Sequence, residues 1–441
     1  MYIKFTIYVH GKINALFFII ITLSHFCYSN NRYITLNVLQ DTTKLSNYCQ
    51  TEIKSIKAYK TGFELNQPVA EFNTDETITV EFDDLSESIE QLEYTVIHCN
   101  YSWQRTNINF MEYADGFEFN PLYEYQYSSG TMVQYRHYAL SIPNSNLKLK
   151  LSGNYILQVV KQSNRQEIVL QQQFRVYEPK VKIDALVRQP VATSIQRTHQ
   201  QVELTVNTAQ LGKIDPDTDI VVLIDQNNQP YNKLIIKKPQ YIDGDRLQYY
   251  TPTWPVFEGG NEFRQLNIKS FHYQTAEVQG IRLFDGVYHT MLTPDKRVKS
   301  YRYTDSRDIN GKYIIKCDDV TDSPTEADYT WVYFTLNNDL QFDGDIYLFG
   351  ELTGWQLNPK FRMNFNPQSG NYEAKLFLKQ GFYNYKYVFV STGTATPDYN
   401  RIESTFYDTE NGYTIYVYFK PYGARYWQLV GLQGVNSRYK N

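Results

Sequence analysis

Cysteine is scarce in this chain of 441 residues, with only 4. Cys27 lies in an N-terminal segment expected to be removed, which leaves Cys49, Cys99 and Cys317. An odd number at wide spacing does not make a disulfide framework, although an oxidising compartment permits one bond. A surplus of either charge is also missing. Lysine plus arginine total 43 against 47 aspartates and glutamates, so no broad basic field awaits nucleic acid or anionic lipid. The 7 histidines are scattered, and none pairs at metal spacing. His98 and Cys99 are neighbours in a predicted strand, so their side chains point to opposite faces and cannot share one metal. His98 reads instead as a core or interface histidine.

Catalytic signatures are absent too. There is no G-x-S-x-G elbow, no H-E-x-x-H and no phosphate loop. Gly259 and Gly260 sit beside Glu258 and Glu262, whose carboxylates would repel a phosphate. Asp83-Asp84 and Asp318-Asp319 read as turn carboxylates, the commonest use of such pairs, rather than as calcium ligands or a catalytic dyad. The chain is expected to be no enzyme and to use no cofactor, metal or small-molecule substrate.

Only one long apolar run occurs. It covers 13–23 around Leu16-Phe17-Phe18-Ile19-Ile20-Ile21, with Lys4 and Lys12 before it. That is short for a bilayer span and has the layout of a secretory signal peptide. Cys27-Tyr28-Ser29 brings small residues to the cleavage positions, so residues 1–29 are read as the signal, cut after Ser29. A lipoprotein signal using Cys27 is the competing reading, and the bulky Phe26 before it speaks against it. No later stretch is apolar enough to cross a membrane as a helix.

What the chain has in quantity is aromatic: 40 tyrosines and 25 phenylalanines. Aromatic and β-branched enrichment favours strands. The clearest strands lie in 77–103, TITVEFDDLSESIEQLEYTVIHCNYSW. Ile78, Val80 and Phe82 alternate with Thr77, Thr79 and Glu81, the period-two pattern of a half-buried strand. In 91–100, Leu92, Tyr94 and Val96 take one face while Ile97 and Cys99 make the other apolar as well. That second strand is expected to be central and covered on both sides.

Short strands separated by turns continue along the chain. They predict an all-β protein of tandem immunoglobulin-like or early-set sandwiches. Expected units are 53–177, 179–302 and 325–430, with a polar stretch at 305–324 linking the last two. Residues 107–132 break the pattern, with Phe110, Tyr113, Phe117, Phe119, Tyr123, Tyr125 and Tyr127 among glycine, proline and acidic residues. A loop of that length is functional, disordered, or folded back to cap the sandwich edge with its rings.

Several strings point to one family. They are FDDL at 82–85, YTVIHCNYSW at 94–103, LKLSGNYILQVV at 149–160, PVFEGGNEFR at 255–264, DINGKY at 308–313, EADYTWVYFTL at 326–336 and GARYWQLVG at 423–431. In number and order they resemble the plug proteins of the Bacteroidetes type IX secretion system, over nearly all of the mature chain. The resemblance implies a periplasmic protein, attached to the inner face of the outer membrane through its partner. That partner is a large outer-membrane β-barrel translocon, whose pore the plug seals. Under this reading Tyr113, Phe117, Phe119, Tyr123 and Tyr125 are the candidate interface residues.

The last unit has a second resemblance. DIYLFG at 345–350, LTGW at 352–355, Asn371-Tyr372-Glu373 and GFYNYKY at 381–387 look like the early-set sandwich of glycogen-binding modules. The alternative function is therefore an exported carbohydrate-binding protein, with Trp355 and Tyr383 as the sugar platform. Large aromatics in sandwiches are mostly packing, so a core role for Trp355 stands beside it.

The mature protein should begin at Asn30 without lipid. N-terminal sequencing and intact mass check this, and a diacylated Cys27 would overturn it.

Overall fold

Which faces of a strand are dry decides where it can sit in a sheet, and the two strands of 77–103 settle differently. In the computed structural model, residues 46–300, 302–337, 342–394 and 396–438 are described. The expected signal peptide, 1–29 with Cys27, lies outside them. Ile78–Asp84 is interior to a sheet ordered Ile53–Lys60, Ile78–Asp84, Arg136–Ile142, Tyr125–Tyr127. Leu92–Cys99 is interior to the opposite sheet, between Gly153–Lys161 and Asn120–Leu122, and is buried on both faces as expected. Val80 and Phe82 from one sheet meet Tyr94, Val96 and Tyr155 from the other in a single core. This is the first sandwich, and Tyr48–Cys49, ahead of the expected 53–177, adds an edge strand to it beside Asn164–Tyr177.

The other two units are drawn differently from the expectation. One sheet of the second sandwich joins Lys182–Arg188, His199–Asn207, Arg246–Gln248 and Tyr241–Asp243. The facing sheet pairs Ile220–Gln226 not only with Lys233–Ile236 but with Gly412–Phe419, which in turn pairs with Gln428–Asn436. Ile220–Gln226 is buried throughout, and such a strand needs a hydrogen-bonded neighbour on each side. The chain supplies the second neighbour from its far end. Residues 179–302 therefore do not close a sandwich by themselves.

The third sandwich is inserted into the second. Arg264–Asn267 pairs with Gly381–Ser391, and Val287–Leu292 lies parallel to Tyr329–Leu336. Strands read as the end of the second unit thus build the third, whose core gathers Leu266, Val332, Leu348, Tyr385 and Phe389. The segments entering and leaving this insertion run side by side. Phe406 N donates to Gly260 O at 2.7 Å, and Asn411 Nδ2 donates to Gly259 O at 2.8 Å. A Cβ on Gly259 would stand 1.9 Å from Phe406 O, so only glycine fits this crossing.

The sandwiches are joined by buried polar groups. Asp83 and Asp84 were expected in a turn, yet both are buried within a strand, because each has a cation to meet. Asp84 accepts from Arg136 Nη2 at 2.7 Å. Asp83 accepts from Lys379 Nζ at 2.6 Å and Tyr329 OH at 2.7 Å, both on the third sandwich, and lies 2.7 Å from His137 Nδ1. Lys379 also sits 4.0 Å from the centre of the Tyr135 ring. Burial lowers the proton affinity of Lys379, and the Asp83 carboxylate works against that shift.

Lys57 adds a second tie to the third sandwich, donating to Glu351 Oε2 at 3.2 Å and to Tyr313 O. Between the first and second sandwiches, Arg175 lies between Trp103 and Tyr416, 4.8 and 4.2 Å from their ring centres. Val221, Leu223, Tyr418 and Leu429 fill the same joint. Asp318-Asp319 stays in a turn as expected. Cys49, Cys99 and Cys317 are all unpaired.

Asp83→Asn removes the countercharge of Lys379 at nearly constant size. Breaking a buried pair from one side costs about 3–5 kcal/mol, so the urea midpoint should fall accordingly. Asp83→Asn with Lys379→Met should recover part of the loss. A single-variant loss under about 1 kcal/mol, the value of an exposed pair, would refute this.

Candidate partner interface

Residues 107–132 leave the first sandwich and return to it as a strap across its open side. Phe110–Tyr113 forms one helical turn, with Asn109 N donating to Glu112 Oε1 at 2.9 Å. Ala114–Gly116 pairs with Leu147–Leu149. Gly116 is at φ +116°, and a Cβ there would lie 2.0 Å from Asn146 O, so the strap can turn this closely only at glycine. Asn120–Leu122 then becomes the edge strand beside Leu92–Cys99, and Tyr125–Tyr127 the edge strand beside Arg136–Ile142. One segment thus supplies an edge to both sheets. Pro121 has no N–H to offer a further strand, which is how edges are commonly closed.

The five aromatics read as an interface divide in two. Tyr113 is buried, and its hydroxyl donates to Val96 O at 3.2 Å. Its ring packs near Phe110, His98 and Tyr155, and burial pushes its hydroxyl up to about 12. Tyr125 leans on Tyr138, with ring centres 5.3 Å apart. Phe119 is half-buried under the Arg165 guanidinium at 4.4 Å, which Glu93 holds at 2.6 Å. These three rings serve the sandwich. Phe117 and Tyr123 do not, being 78% and 67% exposed. Met111, Tyr127 and Met132 are exposed along the same strap. Sequence periodicity missed this division because the strap has no regular period. No local signal separates them either: a glutamate stands beside all five rings, and Phe119 shares the turn of Phe117.

Both other sandwiches hold the strap in place. At its start, Arg425 from the turn between the last two strands donates to Glu112 and to Asn107 O. At its end, the Asp328 carboxylate of the third sandwich accepts from Met132 N at 2.6 Å and Val133 N at 3.1 Å. Ser129 N donates to Thr325 O at 3.0 Å nearby. Rings presented on a pinned backbone lose less freedom on binding than rings on a free loop.

The sugar-platform residues are not available as one. Trp355 is 8% exposed and packs against Phe263 and Phe349; Tyr383 is 2% exposed and stacks on Tyr313 at 5.1 Å. A stacking sugar needs an open ring face, and the core takes both. His98 is fully buried, hydrogen-bonded to Thr106 and Ser152, and held down to about 4 by burial. Among the described residues, no three His, Cys, Asp or Glu side chains are grouped as for a metal ion. No described helix is long and apolar enough to cross a membrane.

Tyr113→Ala should lose about 3–5 kcal/mol of stability, as core aromatic truncations do. Phe117→Ala and Tyr123→Ala should each lose about 0.5 kcal/mol or less. Thermal melts separate these outcomes, and a large loss in Phe117→Ala would assign that ring to packing.

With this geometry the chain can be set beside known proteins. Residues 53–178 match the profile of the type 9 secretion system plug protein 1st domain. A crystal structure of a hypothetical protein from Parabacteroides merdae ATCC 43184 shares 34% identity and superposes with a TM-score of 0.85. That similarity covers 89% of this chain and 99% of the other. No curated protein matches. The family string FDDL supplies the Asp83 that joins two sandwiches, and the matched domain is the one that carries the strap. The chain belongs to the plug protein family of the type IX secretion system.

Proposed function

We propose that this protein docks on the periplasmic side of a large outer-membrane β-barrel translocon and seals its pore. Family membership gives a role in type IX secretion and an association with a secretion translocon at the cell envelope. The finer reading rests on one observation: the family match falls on 53–178, the sandwich that presents Phe117 and Tyr123 to solvent. A wide barrel leaks when no substrate fills it. Three sandwiches tied by buried ion pairs and by a guanidinium held between aromatic rings form a stiff body suited to obstruct such an opening. The mode of action is binding rather than catalysis. Phe117 and Tyr123 are the contact residues in this reading, while Tyr113, Phe119 and Tyr125 pack on the sandwich and anchor the strap. Large aromatic anchors contribute about 2 kcal/mol or more each at interface centres.

The test is co-purification with the barrel after mild detergent extraction. Wild type should bring the barrel down, and Phe117→Ala/Tyr123→Ala should stay folded yet fail to do so. Cells lacking the protein should admit large antibiotics that the outer membrane normally excludes. Unchanged sensitivity, with the translocon at its normal level, would count against sealing.

A further inference from the structure

The charge around the exposed rings is one-sided. Between Arg105 and Arg136 there is no lysine or arginine, while Glu112, Asp115, Glu118 and Glu124 are all acidic. Two of these are answered locally, Glu112 by Arg425 and Asp115 by Lys150. Glu118 and Glu124 are exposed, form no ion pair among the described residues, and stand directly beside Phe117 and Tyr123, with Glu118 within the field of Arg165.

A second element carries the same chemistry to the same edge. Leu92 is paired with Leu122, so the turn before Leu92 lies next to Tyr123. That turn exposes Ile89, at 61%, together with Glu87. It is fixed from below, because Arg136 Nη2 donates to Ser86 O at 3.0 Å and Ser88 O at 2.9 Å. The cations nearby in the fold are occupied: Arg165 by Glu93, and Lys161 by Glu167 at 2.6 Å. The result is an exposed edge, called here the ridge, that presents Phe117, Tyr123 and Ile89 with the carboxylates of Glu87, Glu118 and Glu124 from two segments, of which Glu118 lies within the field of Arg165.

We infer that this ridge docks on a protein surface that is apolar at its centre and basic at its rim. The inference rests on the docking reading above and specifies the chemistry of its partner. Complementary potential selects partners and speeds encounter. An anionic lipid surface is disfavoured by the same carboxylates, although exposed aromatic residues alone would suit a membrane. The partner's contact surface should therefore carry lysine or arginine around pockets for the two aromatic rings.

The experiment uses the full mature chain and the detergent-purified barrel, with affinity measured at about 50 and 500 mM NaCl. Wild type should lose about tenfold or more in affinity at the higher salt. Glu87→Lys/Glu118→Lys/Glu124→Lys should lose at least as much at low salt while keeping its melting temperature. The corresponding glutamine variant should bind with little salt dependence. Vesicles of phosphatidylglycerol should not retain the wild type. If wild type and the lysine variant bind the barrel equally at both salts, the charge inference is overturned and docking stands. Wild-type binding to the vesicles instead of the barrel would overturn it in favour of lipid. If wild type binds neither at either salt, both readings fall.

Discussion

A carboxylate placed in a dry joint must be answered by a cation, and Asp83 is answered from another part of the chain. It sits on an interior strand of the first sandwich and takes hydrogen bonds from Lys379 and Tyr329 of the third. Neither charge is tolerable alone, so the two sandwiches have one favourable register. That register brings Asp328 under Met132 and Val133, and so fixes the end of the strap. Lys57 with Glu351 repeats the device at the same joint. The second sandwich is held by a different device, a guanidinium between two aromatic faces with apolar side chains around it. The position of the exposed ridge is thus a property of the whole assembly rather than of one domain.

This arrangement sets the internal joints apart from the exposed ridge. Internal joints that are buried and ionic hold one alignment, because a misaligned joint leaves a charge buried without its partner. The ridge has the opposite character. Its rings and carboxylates are solvated, and its backbone is already ordered by Arg425 and Asp328. Association there needs little reorganisation of the protein, and dissociation leaves nothing unsatisfied within it.

Much of the fold was legible in the sequence. Alternation marked Ile78–Asp84 and Leu92–Cys99, and the doubly apolar pattern of the latter identified an interior strand. The apolar run from Ile220 to Ile224 also suits a buried strand, and Ile220–Gln226 is one. Its second partner was not legible, because a pattern of burial says that a neighbour exists but not which segment provides it. The same limit misassigned Arg264–Asn267, whose spacing suits any sheet. Asp83-Asp84 misled for a related reason: the turn preference of aspartate is local, whereas its ion partner here lies on another sandwich. At the candidate site, composition located the strap but could not sort its rings. Tyr113 and Phe117 differ little in type; the close turn at Gly116 sends one inward and leaves the other outside.

The insertion of the third sandwich into the second has a consequence for the order in which the protein matures. The first sandwich draws both sheets from one continuous stretch, and the third is complete before the second. A chain delivered N-terminus first therefore carries Ile220–Gln226 with one side unpaired until Gly412–Phe419 emerges. An apolar strand waiting in that state is a template for wrong pairing. Closure of the middle of the molecule therefore waits on Gly412–Phe419 and Gln428–Asn436, since a fragment cut short before them lacks the piece that covers this edge.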